Sequence, residues 1–258
     1  MTGGLAVDDA AWASPWRRRA VGEKVLLSGG LVIAGLLLPP WPGSVLVAAT
    51  AVAVLVGPAA VPVRLLLRSL LPPLSFITVG ALSVLVSLDW QAGPRLAVTA
   101  ATRDSALSLV SHGVAGTLSV FVVAATTPMA DLLAAMRRWG VPEACTEIAG
   151  LVYRLVGVLL VTVRQVREAQ AARLGYRNRR TSLRSAAVLS STLLVRSWER
   201  ARRLEEGLAG RGYAGSLPTL DVAPAMSRRF VGATVVGLAL LTAVSAWVPH
   251  AVAVAGVR

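Results

Sequence analysis

The chain has 258 residues, 55% hydrophobic and only 15% charged, with a mean hydropathy of +0.66 and a net charge of +13. Charge so far below the roughly 25% of soluble domains, with apolar runs near bilayer-crossing length, argues for a polytopic membrane protein and against a soluble globular one. The basic excess then reads as loops that follow the positive-inside rule rather than as a nucleic-acid surface, and the single cysteine, Cys145, excludes an intrachain disulfide or a cysteine-rich metal site.

Arg17-Arg18-Arg19 ahead of the apolar run 25–38 resembles the charged and hydrophobic regions of a signal peptide, but more apolar segments follow. It is read as a first membrane helix over 20–38. Further spans are expected at 44–63, 69–88, 95–127 and 230–248. Pro39-Pro40-Trp41-Pro42-Gly43 makes a tight turn after the first span, with a tryptophan suited to the headgroup level. Asp89-Trp90 and Gly93-Pro94 do the same after the third.

Positive charge alternates along these segments. Arg17, Arg18, Arg19 and Lys24 precede the first span, none lies in the next loop, and Arg64 and Arg68 occupy the loop after that. Only Arg95, offset by Asp89, lies between spans three and four. A basic block separates spans four and five, and only His250 and Arg258 follow the last. The expected topology has the N-terminus and basic block in the cytoplasm and the C-terminus outside.

Residues 148–163 are nearly apolar apart from Arg154, but basic residues flank them on both sides. Residues 142–174 are therefore read as one long helix, its first half shallowly buried or packed on other spans and its second half basic. Arg103, Asp104 and His112 fall in the fourth span. Either they are functional intramembrane groups, or 95–104 lies at the interface and 110–125 crosses. Adjacent residues do not face each other on a helix, so Arg103 and Asp104 need not pair. His112, beside Gly113, reads as a packed or water-facing residue.

Residues 164–213 hold 12 of the 25 arginines against four acids, Glu168, Glu199, Glu205 and Glu206. Within them 181–210 has helical periodicity. Leu183, Ala187, Ser190, Leu194, Trp198, Ala201, Leu204 and Leu208 fall in a stripe about 120° wide, with Arg196, Arg200 and Arg203 opposite. Such a helix, about 45 Å long, suits a position on the membrane or against another long helix. Two helix ends share their chemistry: Ala172-Arg173-Leu174-Gly175-Tyr176 and Gly210-Arg211-Gly212-Tyr213. Gly212 is placed as a left-handed terminator, and Gly175 is expected to do the same. Each arginine then either caps its own helix or points toward an acidic site on a partner.

These motifs carry a resemblance. Thr126-Thr127-Pro128, Asp131-Leu132-Leu133, 137–142 (RRWGVP), 169–177 (AQAARLGYR), 196–201 (RSWERA) and 210–213 (GRGY) make the chain similar to the CbiQ-type transmembrane component of energy-coupling factor transporters, in its cobalt-uptake group. The resemblance is dense over 125–216. It implies a coupling subunit with two ATP-binding cassette ATPase subunits and a membrane substrate-capture subunit as partners. Ala172, Arg173, Leu174 and Gly175, with Gly210, Arg211 and Gly212, would contact the ATPases. Leu183, Leu194, Trp198, Leu204 and Leu208 would pack the coupling helices. Both motifs depart from the family's Ala-Arg-Gly while keeping the arginine.

The chain has no G-x-x-x-x-G-K-[ST] loop, and Lys24 is its only lysine, so ATP hydrolysis is expected in partner subunits. Two distant histidines and one cysteine make no transition-metal site. No cofactor, nucleic-acid partner or catalytic residue is expected. The reading is an all-α polytopic membrane protein of about five spans with a cytoplasmic or interfacial domain of long amphipathic helices. Residues 1–127 form the first membrane helices, 128–227 the coupling domain, and 228–258 the last helix and tail. The expected location is the plasma membrane. Competing readings are a basic scaffold for anionic lipid or polyanions, the same kind of component serving a vitamin, and a membrane enzyme built around Arg103, Asp104 and His112.

Overall fold

Apolar runs interrupted by proline and glycine become helices separated by tight turns. The computed structural model describes residues 3–85, 87–89, 95–97, 99–212 and 224–255. Helices α1 (Gly3–Ala13), α2 (Val21–Leu37), α3 (Val45–Val56) and α4 (Val63–Leu85) come first, with a single 3-10 turn at Pro15–Arg18. A two-stranded antiparallel ribbon, β1 (Ser87–Asp89) and β2 (Arg95–Ala97), pairs Leu88 with Leu96. Then follow α5 (Ala100–Thr126), α6 (Met129–Arg138), α7 (Glu143–Ala172), α8 (Arg179–Ala209) and α9 (Arg228–Ala255). The molecule is an all-α polytopic membrane protein, with the ribbon a minor interruption.

Among the described residues, α4, α5, α7 and the Arg228–Trp247 part of α9 are long and apolar enough to cross a bilayer. The expected span at 44–63 is shortened. Gly57-Pro58 ends α3 after 12 residues, and the chain turns through Ala60, at φ 51°, before Pro62 leads into α4. Arg64 and Arg68 therefore lie in the opening turns of α4 rather than in a loop, and Pro72 and Pro73 lie inside it. The span expected from 95 narrows to α5, whose start is fixed by a Thr99–Thr102 capping box. Trp90, Gly93 and Pro94 lie outside the described residues.

The chain divides into two compact units, Gly3–Asp131 with Ala223–Arg258, and Leu132–Val222. In the first, α5 packs against α1, α2, α3 and α4. Its buried face is Ala115, Leu118, Ser119, Val122 and Ala125, meeting Leu27, Leu31 and Ala34 of α2 and Val47, Ala51 and Leu55 of α3. Lipid is as apolar as leucine, so packing of small residues and interhelical hydrogen bonds supplies the specificity. Ser28 Oγ donates to Ser119 O at 2.7 Å, and a Cβ at Gly35 would stand in ordinary contact with Val47 and Ala115. Leu37 and Phe76 are about four-fifths exposed, as lipid-facing residues are.

One end of this unit is stitched by charge. Lys24, fully buried, donates from Nζ to Thr126 O at 2.8 Å, closing the C-terminus of α5. Buried Glu23 accepts the Ser227 N–H just before α9, and Asp8 accepts the Met129 N–H that opens α6, at 3.0 Å. Each side chain has the sign that its helix terminus favours. Arg17 lies 3.8 Å from Asp131 and Arg19 3.5 Å from Glu23.

In the second unit α6 ends at Gly140, with φ 92°, and α7 and α8 form a hairpin. As expected, residues 143–172 are one helix, with 148–163 inside it.

Candidate functional site

A helix of 30 residues leaves its last carbonyls unpaired, and how they are satisfied decides where the next side chains point. At the end of α7, Gly175 N–H donates to Gln170 O at 2.8 Å and Leu174 N–H to Ala171 O at 3.0 Å. That is a Schellman closure, and its left-handed residue is Leu174, with φ 57°. Gly175 was expected in that role and does not take it. It is glycine for another reason: a Cβ there would lie 2.7 Å from Ser185 Oγ and 2.9 Å from Gln170 O.

At the end of α8 the bond from the left-handed residue recurs, the residue after it lying outside the described residues. Arg211 N–H donates to Leu208 O at 3.0 Å, Gly212 N–H to Ala209 O at 3.2 Å, and Gly212 is left-handed with φ 69°, as expected. The two ends therefore align on Leu174 and Gly212, not on the two glycines. In this register each arginine, Arg173 and Arg211, immediately precedes the left-handed residue. Ala172, Arg173, Leu174, Gly210, Arg211 and Gly212 are exposed, and Gly175 is half-buried. Among the described residues neither guanidinium makes an ion pair or a hydrogen bond. Tyr213 lies outside the described residues.

The first tip is braced. Tyr176 Oη donates to Gln170 Oε1 at 2.6 Å, Gln170 Nε2 donates to Ser185 O at 3.0 Å, and Ser185 Oγ donates to Gly175 O at 2.9 Å. The Arg167 guanidinium stands 5.9 Å over the Tyr176 ring. Asn178 and Thr181 form a capping box that starts α8. Gln170 and Ser185 were not recognised from the sequence as braces, because a polar residue on a polar helix face carries no periodic signal.

The apolar stripe of α8 is present but open. Leu183, Leu194, Trp198 and Leu204 are exposed, Leu208 is half-buried, and α8 meets α7 through Ser185 near the hairpin instead. Amphipathic spacing shows that a face exists without saying what covers it. On the polar side Arg203 pairs with Glu199 at 3.3 Å and Arg202 with Glu206 at 3.2 Å.

The other candidates separate. Arg103 and Asp104 lie in the opening turns of α5, both side chains about two-thirds or more exposed. They do approach one another, Nε to Oδ1 at 3.9 Å, the long arginine side chain bending round the exposed helix surface. His112 is packed, with Nδ1 2.8 Å from Ser108 O and 3.3 Å from Ser108 Oγ, and Nε2 3.2 Å from Leu38 O. It joins α5 to the turn after α2 and meets neither Arg103 nor Asp104. Cys145 is exposed. Among the described residues no three His, Cys, Asp or Glu side chains gather as metal ligands would.

Comparison with known proteins matches residues 13–220 to the family model "CbiQ: Cobalt transport protein". The cobalt transport protein CbiQ of Rhodobacter capsulatus is 38% identical over 228 residues, covering 88% of this chain and 92% of that protein. A longer relative in Methanocorpusculum labreanum, "Putative fused cobalt transport protein CbiMQ", is 26% identical over 225 residues, which are 82% of this chain and 37% of that one.

Proposed function

This chain belongs to the CbiQ family of cobalt transport proteins, and we propose that it is the transmembrane coupling subunit of an ATP-driven uptake transporter, carrying motion from two ATPase subunits to a separate membrane subunit that captures the solute. The chain itself is a multi-pass membrane component of cobalt transport. The observation that carries the coupling role is the pair of similar helix ends, each presenting an exposed arginine, unpaired among the described residues, directly before a left-handed residue. Two such tips suit two copies of one partner. The fused relative, in which a region like this chain is part of a longer cobalt transport protein, supports a membrane partner as well.

In this mechanism Arg173 and Arg211 enter grooves on the two ATPases and pair with acidic or carbonyl groups. The rigid braces at Gln170, Tyr176 and Ser185 hold the first tip in shape, so ATPase closure on ATP displaces the whole hairpin rather than its end. Leu183, Leu194, Trp198, Leu204 and Leu208 of α8 present apolar area to other subunits or to lipid. Cobalt is held by the capture subunit. Co-purification in mild detergent tests this: two ATPase copies and one capture subunit accompany each chain, and cobalt binds only when the capture subunit is present. A chain that binds cobalt alone, or purifies with no ATPase, refutes the proposal.

The orientation follows from charge. With basic segments at 17–24, 64–68 and 164–213, the N-terminus and the coupling helices lie in the cytoplasm of a plasma-membrane protein and the C-terminus outside. A reporter inserted at Asn178 is expected to read cytoplasmic and one fused after Arg258 extracytoplasmic. An external signal from Asn178 would make α7 a crossing helix and reverse the layout.

A further inference from the structure

A groove of about 340 Å³ runs between α2, α3 and α9, lined by Leu27, Leu31, Val54, Ala233, Leu238 and Leu241. It is apolar and within the volume range of small-molecule sites. Trp16 and Phe230 also line it, packed edge to face with ring centroids 5.6 Å apart. The Arg19 guanidinium stands 4.5 Å over the Phe230 ring and 5.8 Å over Trp16. Positive charge collects around these two rings. Arg228 and Arg229 occupy the first turn of α9, where the helix dipole disfavours cations, and no acid shares that turn. Among the described residues Arg18, Arg228 and Arg229 make no ion pair. Among the described residues, Glu23 is an acid close by, and its carboxylate is already engaged by Arg19 and the Ser227 N–H.

We propose that this groove holds one acyl chain of an anionic phospholipid whose phosphate is gripped by the arginines beside Trp16 and Phe230. An apolar channel fits hydrocarbon, and Arg18, Arg228 and Arg229, each within two residues of Trp16 or Phe230 in the chain, supply uncompensated positive charge beside it for a single phosphate. The cluster belongs to the basic N-terminal side of the protein, which is the side that meets anionic headgroups. The site is independent of the coupling role, since neither Arg173 nor Arg211 takes part.

The test is native mass spectrometry of the full chain released from nanodiscs of equal phosphatidylglycerol and phosphatidylcholine. One phosphatidylglycerol is expected to stay bound in preference to phosphatidylcholine. Arg18→Gln and Arg229→Gln should each lower its retention about fivefold, the pull of one basic side chain on an anionic headgroup. A Cβ at Gly237 meets nothing within 4 Å, so the side chain of Gly237→Leu starts in open space at the groove wall and should occupy part of the groove and displace the lipid, with the melting temperature of the variant measured alongside. Equal retention of both lipids overturns the proposal. So does retention unchanged in Gly237→Leu, protection against heat by inorganic phosphate alone, or photocrosslinking from position 237 to a protein subunit or a second copy in place of lipid.

Discussion

Changing both Arg173 and Arg211 to alanine is expected to abolish ATP-dependent cobalt uptake while the protein remains in the membrane at its normal level. Both side chains are exposed and unpaired among the described residues, so their loss should cost the fold no more than about 1 kcal/mol. On the coupling model the main effect comes from contacts made with a partner. Removing one member of a charged contact buried at an interface costs about 2–5 kcal/mol, so either single change should weaken ATPase association about thirtyfold or more. Arg196→Ala and Arg203→Ala are the controls. Arg203 is held by Glu199 on the surface of its own helix, and exposed contacts of that kind are worth about 0–1 kcal/mol. Uptake measured together with pull-down of the ATPase separates the cases. Equal loss from all four changes would point to diffuse charge, as in a basic scaffold on lipid, and defeat the coupling model.

Gly175→Ala is expected to damage coupling nearly as much, although it removes no charge. The added methyl would sit 2.9 Å from Gln170 O, the acceptor that closes α7, and 2.7 Å from Ser185 Oγ, which braces the turn. The hydroxyl can swing away, but the carbonyl belongs to the helix and cannot. The closure therefore opens at a cost of about 1–3 kcal/mol, and Arg173 is aimed elsewhere. Gly157→Ala, on the same helix with nothing within 4 Å of the new carbon, should be neutral or slightly stabilising. Full uptake with Gly175→Ala would mean that the position of Arg173 tolerates movement, and that the brace has no part in coupling.

The helices of this protein are legible because their signals are local. The proline-rich turn after α2, the one long helix over 143–172 and the left-handed Gly212 all follow from residues adjacent in sequence. The failures have two physical sources. Leu174 adopts a conformation that its side chain disfavours by about 1–2 kcal/mol, so residue type pointed to Gly175. Only the hydrogen bonds of the closure and the crowding at Gly175 reveal the true register. Second, the contacts that position helix ends are distant. Lys24 and Thr126 are 102 residues apart and Glu23 and Ser227 are 204 apart, and nothing at either position announces the other. The shortness of α3 lies between these cases: Gly57-Pro58 marks its end, but the apolar run on both sides reads as continuous.

Those distant bonds have a mechanical consequence. Leu132–Val222 is an insertion within the other unit, entering after Asp131 and returning at Ala223. Both points of attachment are moored to one short stretch before and at the start of α2: Arg17 to Asp131, Lys24 to the carbonyl of Thr126, and Glu23 to the amide of Ser227. The two ends of the first unit that flank the insertion are thus held to the same few residues at the head of α2, so neither hangs as slack chain there.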